Sequence, residues 1–260
     1  MKIHLFDQPR SATRFVARRL ACLVAERPNA VLGLATGGTM QPVYAELLSM
    51  ARTQGISFAG IGSFNLDEYV GLAPDHPQSY WHFMREHLFD HIDADPGRLA
   101  IPHGNAPDPV AEALRYEDRI RRAGGIDLQL LGLGSNGHIG FNEPGASFSS
   151  RTRVETLAEE TRRANARFFG KGEHVPSEAI TMGIASIMEA RSIVLLAIGS
   201  GKAAAVRAMI EGPVSEDCPA SALRSHPDVT VVLDVAAASL LDARTTVTRH
   251  DDAGELHEVG

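Results

Sequence analysis

Five short stretches of the chain are rich in apolar residues, and amphipathic stretches separate them. Ala30–Ala35, Ile61–Leu66, Ile126–Leu131, Ser192–Ile198 and Val229–Leu233 are predicted strands. Apolar positions three and four apart predict helices over Ser11–Glu26, Gln41–Ala51, Ser79–His87, Val110–Ala123, Leu157–Phe169, Ser177–Glu189 and Lys202–Ile210. Thr156-Leu-Ala-Glu159 fits a capping box, with Thr156 at N-cap and Glu159 three residues on, and so predicts a firm helix start. Strand and helix patterns that alternate in this way predict an α/β fold, a doubly wound, mostly parallel sheet with helices on both faces. No linker or repeat divides the chain, so residues 1–260 are expected to form one domain.

Composition narrows the setting. A hydrophobic share of 44% and a charged share of 22% are those of an ordinary globular chain. The two cysteines, Cys22 and Cys218, argue against a disulfide framework and for a reducing cytoplasm. The opening Met1–Pro9 lacks the apolar core of a signal peptide, and no apolar run reaches membrane-spanning length. A net charge of −7 argues against a nucleic-acid partner, which usually calls for a basic field.

The richest stretch is Leu131-Gly-Leu-Gly-Ser-Asn-Gly-His-Ile-Gly-Phe-Asn-Glu-Pro-Gly145, which follows a predicted strand. His138 exchanges protons near neutral pH, and Glu143 stands five residues on, able to hold one ring nitrogen while the other works. This reads as a general acid–base on a loop at a strand's carboxyl end. Gly132–Gly137 also spells GxGxxG, but a dinucleotide site needs a helix directly afterwards, and Gly140, Pro144 and Gly145 oppose one. Gly199-Ser-Gly-Lys202 is a fragment of a P-loop that has Leu196 for its first glycine and Ala203 for its Ser/Thr, which argues against a nucleoside triphosphate.

Ala35-Thr-Gly-Gly-Thr39 lies between a strand and a helix. Backbone N–H groups there, with the Thr36 and Thr39 hydroxyls, would make a phosphate cradle; a plain βα turn would read the same. Lys202 opens a helix, where a cation opposes the helix dipole. An anion would explain it, and a solvated surface lysine is the simpler alternative. Arg151, Arg153, Arg162, Arg163 and Arg167 crowd one segment. Glu159 can pair with Arg162 and Arg163, whereas Arg167 has no acidic residue at helical spacing and is free to reach an external anion. Asp67 and Glu68 are adjacent at a strand's end, so one of them is expected to face a pocket as a general base. His87 and His91 are four apart, but no HExxH or third ligand accompanies them, so no metal is expected there.

Taken together, these pieces resemble the glucosamine-6-phosphate deaminase (isomerase) family along nearly the whole chain. The matching segments are Leu34–Thr39, Phe64–Gly71, His76–Tyr80, Gly104–Asp108, Gly137–Pro144, Ser150–Arg153 and Ala164–Phe169. The resemblance implies conversion of glucosamine 6-phosphate and water to fructose 6-phosphate and ammonia, with no metal or organic cofactor. It implies that Asp67 moves the proton from C2 to C1, that His138 serves ring opening and that Glu143 orients His138. Gly37, Gly38, Thr39, Arg167 and Lys202 would hold the phosphate beside Thr36, and residues from about 157 to 180 would form a mobile lid.

Two departures from the family pattern stand out. Asn136 replaces an Asp that some members carry, which puts a charge-based triad in doubt. At the activator site of allosteric members, Ala146, Glu155 and Thr156 stand beside a retained Arg153, and Glu155 puts a negative charge where a phosphate would bind. No activation by N-acetylglucosamine 6-phosphate is expected. The rival functions are galactosamine-6-phosphate deamination, a sugar-phosphate lactonase on a similar fold, and a binding regulator without turnover. The partner expected is a small amino-sugar phosphate, and the sequence leaves homo-oligomerisation open.

Overall fold

The apolar runs lie side by side at the centre of one sheet. In a computed structural model, residues 1–166, 169–170, 174–250 and 256–257 are described. The first half of the chain forms β1 (Lys2–Phe6), α1 (Pro9–Glu26), β2 (Val31–Leu34), α2 (Gln41–Gln54), β3 (Gly62–Asn65), β4 (Asp67–Tyr69), α3 (Tyr80–His87), β5 (Leu99–Ala100) and α4 (Pro109–Arg122). The second half adds β6 (Leu128–Gly132), β7 (Arg153–Thr156), α5 (Glu159–Asn165), β8 (Glu178–Thr181), α6 (Ile184–Met188), β9 (Ser192–Ala197) and α7 (Ala203–Glu211). Then follow β10 (Val229–Asp234), β11 (Thr248–His250) and β12 (Leu256–His257).

The main sheet runs β12-β11-β1-β10-β9-β6-β2-β3-β5, parallel throughout except where β12 pairs antiparallel with β11. Every residue of β2 and β10 is buried, as central strands covered on both faces require. From β2 the chain winds outward through β3 and β5, then returns to the other side of β2 as β6 and continues through β9 and β10. The carboxyl ends of β2 and β6 are therefore neighbours where the winding reverses, the place where open α/β sheets form ligand crevices.

Local signals set the helix ends. Pro9 starts α1 two residues before the predicted Ser11, and its buried Ala12, Val16, Ala17, Leu20 and Val24 make a stripe at helical spacing. Gly55, at φ 67°, ends α2 in the left-handed conformation. Asp108 caps α4 by accepting from the backbone N–H groups of Val110 and Ala111, and Ser79 caps α3 by accepting from that of His82.

Two expectations fail in the second half. Ser177–Glu189 is not one helix: residues 178–181 form β8, the middle strand of a small antiparallel sheet ordered β4-β8-β7, and only Ile184–Met188 are helical. Ala179 and Ile180 are buried against partner strands that are distant in sequence, so tertiary pairing overrides the helical spacing. The capping box does not form either. Thr156 is the last residue of β7, Leu157 donates its backbone N–H to the Ser177 carbonyl, and α5 begins after Ala158 with no side-chain cap. Among the described residues no helix is long and apolar enough to cross a membrane.

Candidate active site

Three loops converge on the crevice, each leaving the carboxyl end of a main-sheet strand. After β2, residues 35–40 turn into α2 with Gly37 at φ 102° and the Met40 N–H bonded to the Gly37 carbonyl (2.9 Å). After β9, a short 3₁₀ turn over Ser200–Lys202 leads into α7. Lys202 is half-buried there, and burial lowers its pKa; among the described residues no carboxylate pairs with it. After β6 the backbone enters no helix and the next regular element is β7, so Gly132–Gly137 does not take the dinucleotide form.

Asp67 sits where the chain changes sheets. Leu66 still donates its N–H to Leu34 of β2 (3.1 Å), and Asp67 then opens β4, paired with Thr181 of β8. The switch divides the two carboxylates. Asp67 lines the crevice, whereas Glu68 turns away and accepts the backbone N–H groups of Tyr69 (2.9 Å), Tyr80 (3.0 Å) and Trp81 (3.1 Å). Burial, followed by the nearby Glu68 carboxylate, pushes Asp67 up to about 8 from its ordinary 3.8. Burial also pushes Glu68 up, to about 7, against the opposing pull of its three N–H donors.

His138 is held by its own loop. Its backbone N–H donates to Asn136 Oδ1 (3.2 Å), which fixes that atom as the amide oxygen. His138 Nδ1, 2.8 Å from the same oxygen, is therefore the donor, and the neutral ring carries its lone pair on Nε2. Asn136 Nδ2 donates to Glu143 Oε2 (2.8 Å), which lies 3.5 Å from His138 Nδ1. Burial alone would raise the Glu143 pKa, but hydrogen bonds from His138, Thr161 and Asn136 outweigh it and hold Glu143 at about 2. Gly134 allows the ring to lie flat on the loop, since a Cβ there would stand 2.3 Å from His138 Nδ1. Gly137, at φ 89°, faces Cys218, whose Sγ would be 2.7 Å from an added Cβ. The loop is also tied to the small sheet: Phe141 N–H donates to Thr181 Oγ1 (3.1 Å), and Asn142 Nδ2 to the Met182 carbonyl (2.9 Å).

One cavity of about 370 Å³ is lined by Thr36, Gly37, Gly38, Thr39, Asp67, Asn136, His138 and Lys202. That is large enough for a small metabolite. Glu143 does not line it and sits behind His138 and Asn136. Arg167 lies outside the described residues. The sequence reading missed Tyr80 and Thr161, which also line the cavity, and Thr161 donates its hydroxyl to Glu143 Oε1. Nothing in their spacing singles them out, since Thr161 meets a partner 18 residues earlier across a strand and a loop. Three of the other arginines are used locally: Arg151 pairs with Glu117 and Glu189, Arg153 with Glu155, and Arg163 with Glu159. His87 bonds Gln41 (3.2 Å) and His91 the Glu86 carbonyl (2.8 Å).

A buried carboxylate, an imidazole with a free lone pair, and an anion-ready loop and lysine around one α/β crevice define the class: an acid–base site for a small anionic metabolite. Similarity narrows this. Residues 7–232 match the family of glucosamine-6-phosphate isomerases and 6-phosphogluconolactonases, and the chain belongs to that family. A glucosamine-6-phosphate deaminase of Hahella chejuensis is 53% identical over 242 residues, 93% of this chain and 92% of the relative. Glucosamine-6-phosphate deaminase 1 of Bacillus subtilis is 51% identical over 240 residues, 92% of this chain and 99% of the relative. The solved structure of a monomeric glucosamine-6-phosphate deaminase superposes with a TM-score of 0.90 at 51% identity, covering 92% of this chain and all of the other. A 6-phosphogluconolactonase from Trypanosoma cruzi, at 21% identity and a TM-score of 0.71, shares the fold.

Proposed function

We propose that this chain is a glucosamine-6-phosphate deaminase, converting glucosamine 6-phosphate and water to fructose 6-phosphate and ammonia. The observation that carries this reading is a strongly basic carboxylate, Asp67, in the same cavity as His138 and a phosphate cradle. Relatives near 50% identity with that name support it over almost the full length.

The reaction opens the pyranose, moves the C2 proton to C1 through an enolamine, and leaves an imine at C2. Water then hydrolyses the imine to a ketone and releases ammonia. His138 Nε2, with the opposite nitrogen anchored, exchanges the ring-opening proton. Glu143 stabilises the imidazolium and holds its orientation. Asn136, although uncharged, fills the link between His138 and Glu143, so the triad keeps one negative charge rather than two. Asp67, its pKa lifted towards neutrality, takes the C2 proton and returns it to C1. The N–H groups and hydroxyls of residues 36–39, with Lys202 and Arg167, hold the phosphate, and of the lid expected over about 157 to 180 the part that contains α5 closes, while 178–180 stay in β8. Regulation is absent in this reading, because Glu155 occupies the activator position and pairs with Arg153.

Ammonia release from glucosamine 6-phosphate and galactosamine 6-phosphate, measured beside hydrolysis of a 6-phosphogluconolactone to its acid, tests the proposal. Turnover of the first alone supports it. Preference for the second changes the epimer, and lactone hydrolysis without ammonia from either sugar overturns it.

A further inference from the structure

We infer that Thr161 is a positioning residue that ties α5 to the acid–base relay through Glu143; the inference rests on the deamination reading. The relay of Asn136, His138 and Glu143 belongs to a single loop, and its internal bonds would survive any displacement of α5. Among the described residues, Thr161 is the side-chain partner of Glu143 that comes from another element. Three residues into α5, it lines the catalytic cavity and donates its hydroxyl to Glu143 Oε1. The carboxylate is thereby divided: Oε2 serves Asn136 and faces His138, while Oε1 is held by the helix.

That division has a consequence for the chemistry. A carboxylate pinned at one oxygen only can rotate about its last bond and lose its alignment with the imidazole. Pinned at both, it is aligned with His138 whenever α5 rests over the cavity. The fold supports this seat for α5. Leu157, just before the helix, is buried with Tyr69, Phe141 and Ala179, and Tyr80 and Phe169 pack on the same cluster. The acid–base pair is therefore complete only with α5 seated, which couples closure over the substrate to competence for proton transfer.

The test compares Thr161→Val, which keeps the shape and removes the donor, with Thr161→Ser, which keeps the donor and removes a methyl group. A hydrogen bond to a charged group is strong enough that its loss should lower kcat about tenfold or more. KM should move less than about threefold, because residues 36–39 and Lys202, which lie outside α5, keep their hold on the phosphate. Thr161→Ser should restore most of kcat. Equal kcat in Thr161→Val and wild type overturns the inference, as does a Thr161→Ser variant as slow as Thr161→Val, which would assign the effect to packing. These outcomes are separate from the deamination reading, which stands or falls on whether the wild-type protein releases ammonia at all.

Discussion

Asp67 is the residue at which function and stability oppose each other. Its carboxyl is buried, and burial together with Glu68 raises its pKa to about 8. In the unfolded chain it would ionise near 3.8, so between these values the unfolded state loses a proton that the folded state keeps. Stability therefore falls as pH rises through this window, by about 1.4 kcal/mol per unit for an ideal single group and on the order of a few kcal/mol in all. Asp67→Asn should abolish ammonia production, a loss of about 10²–10⁴ or more for a proton-transfer residue, while raising the melting temperature. The thermal gain should be small near pH 4 and grow towards pH 8, as thermal melts across that range would show. The wild-type kcat/KM should climb towards an alkaline limb near 8, since the free enzyme's base must be ionised to act.

Lys202 is a residue-scale case of the opposite kind. Its charge is partly desolvated by the fold, and in the proposed reading a bound phosphate would supply a partner that the described residues do not. Lys202→Ala should raise KM about tenfold or more and change kcat far less, because a phosphate is gripped alike in ground and transition states. Steady-state kinetics with glucosamine 6-phosphate would show the split, and Arg167→Ala should behave in the same way.

At the scale of elements, the loop after β6 works because its backbone approaches its own side chain. An alanine at Gly134 would put a Cβ 2.3 Å from His138 Nδ1, so the ring must leave its place over the loop. Gly134→Ala should cut kcat at least tenfold, with the fold, read by circular dichroism, unchanged. Glycine content and the His–Glu spacing made this loop legible in the sequence, as the Thr-Gly-Gly-Thr stretch did the turn from β2 into α2. Central strands such as β2 and β10 were legible because full burial leaves a mostly apolar run, interrupted in β10 only by Thr230 before the closing Asp234. The small sheet was not legible. Its strands are three or four residues long, and Thr181 of β8 finds Asp67 across more than a hundred residues. Local spacing there favoured a helix until the pairing decided otherwise. The first strand, β1, also went unread, because its alternating Lys2–Phe6 stretch shows no run of apolar residues although it is paired on both sides.

At the scale of the whole molecule, a second cavity of about 330 Å³ adjoins the relay, lined by Glu143, Ala146, Arg153 and Glu155 among others. Arg153 is already taken there, paired with Glu155 and donating to Asn142 Oδ1 (2.9 Å). A phosphate entering would meet a carboxylate and a spent guanidinium, and an effector without different affinities for two states shifts nothing. Velocity should therefore rise hyperbolically with substrate and be unaffected by N-acetylglucosamine 6-phosphate. Initial-rate curves with and without that compound would check this, and a sigmoidal curve that it straightens would show that an effector site exists.

The division of labour between the two sheets has its own consequence. Residues 36–39 and Lys202, the proposed phosphate site, follow strands of the nine-stranded sheet, whereas Asp67, the proposed base, opens a strand of the three-stranded one. A substrate held at both ends is then a tie-rod across a joint, loaded only when its phosphate and its C2 carbon are both engaged. The separation it must span is set by how firmly the joint is clamped at Leu66 and Met182, whose backbones join β3 to β8. The clamp itself is main chain: Met182 donates its N–H to the Leu66 carbonyl (2.7 Å), and Leu66 donates its own to the Leu34 carbonyl (3.1 Å).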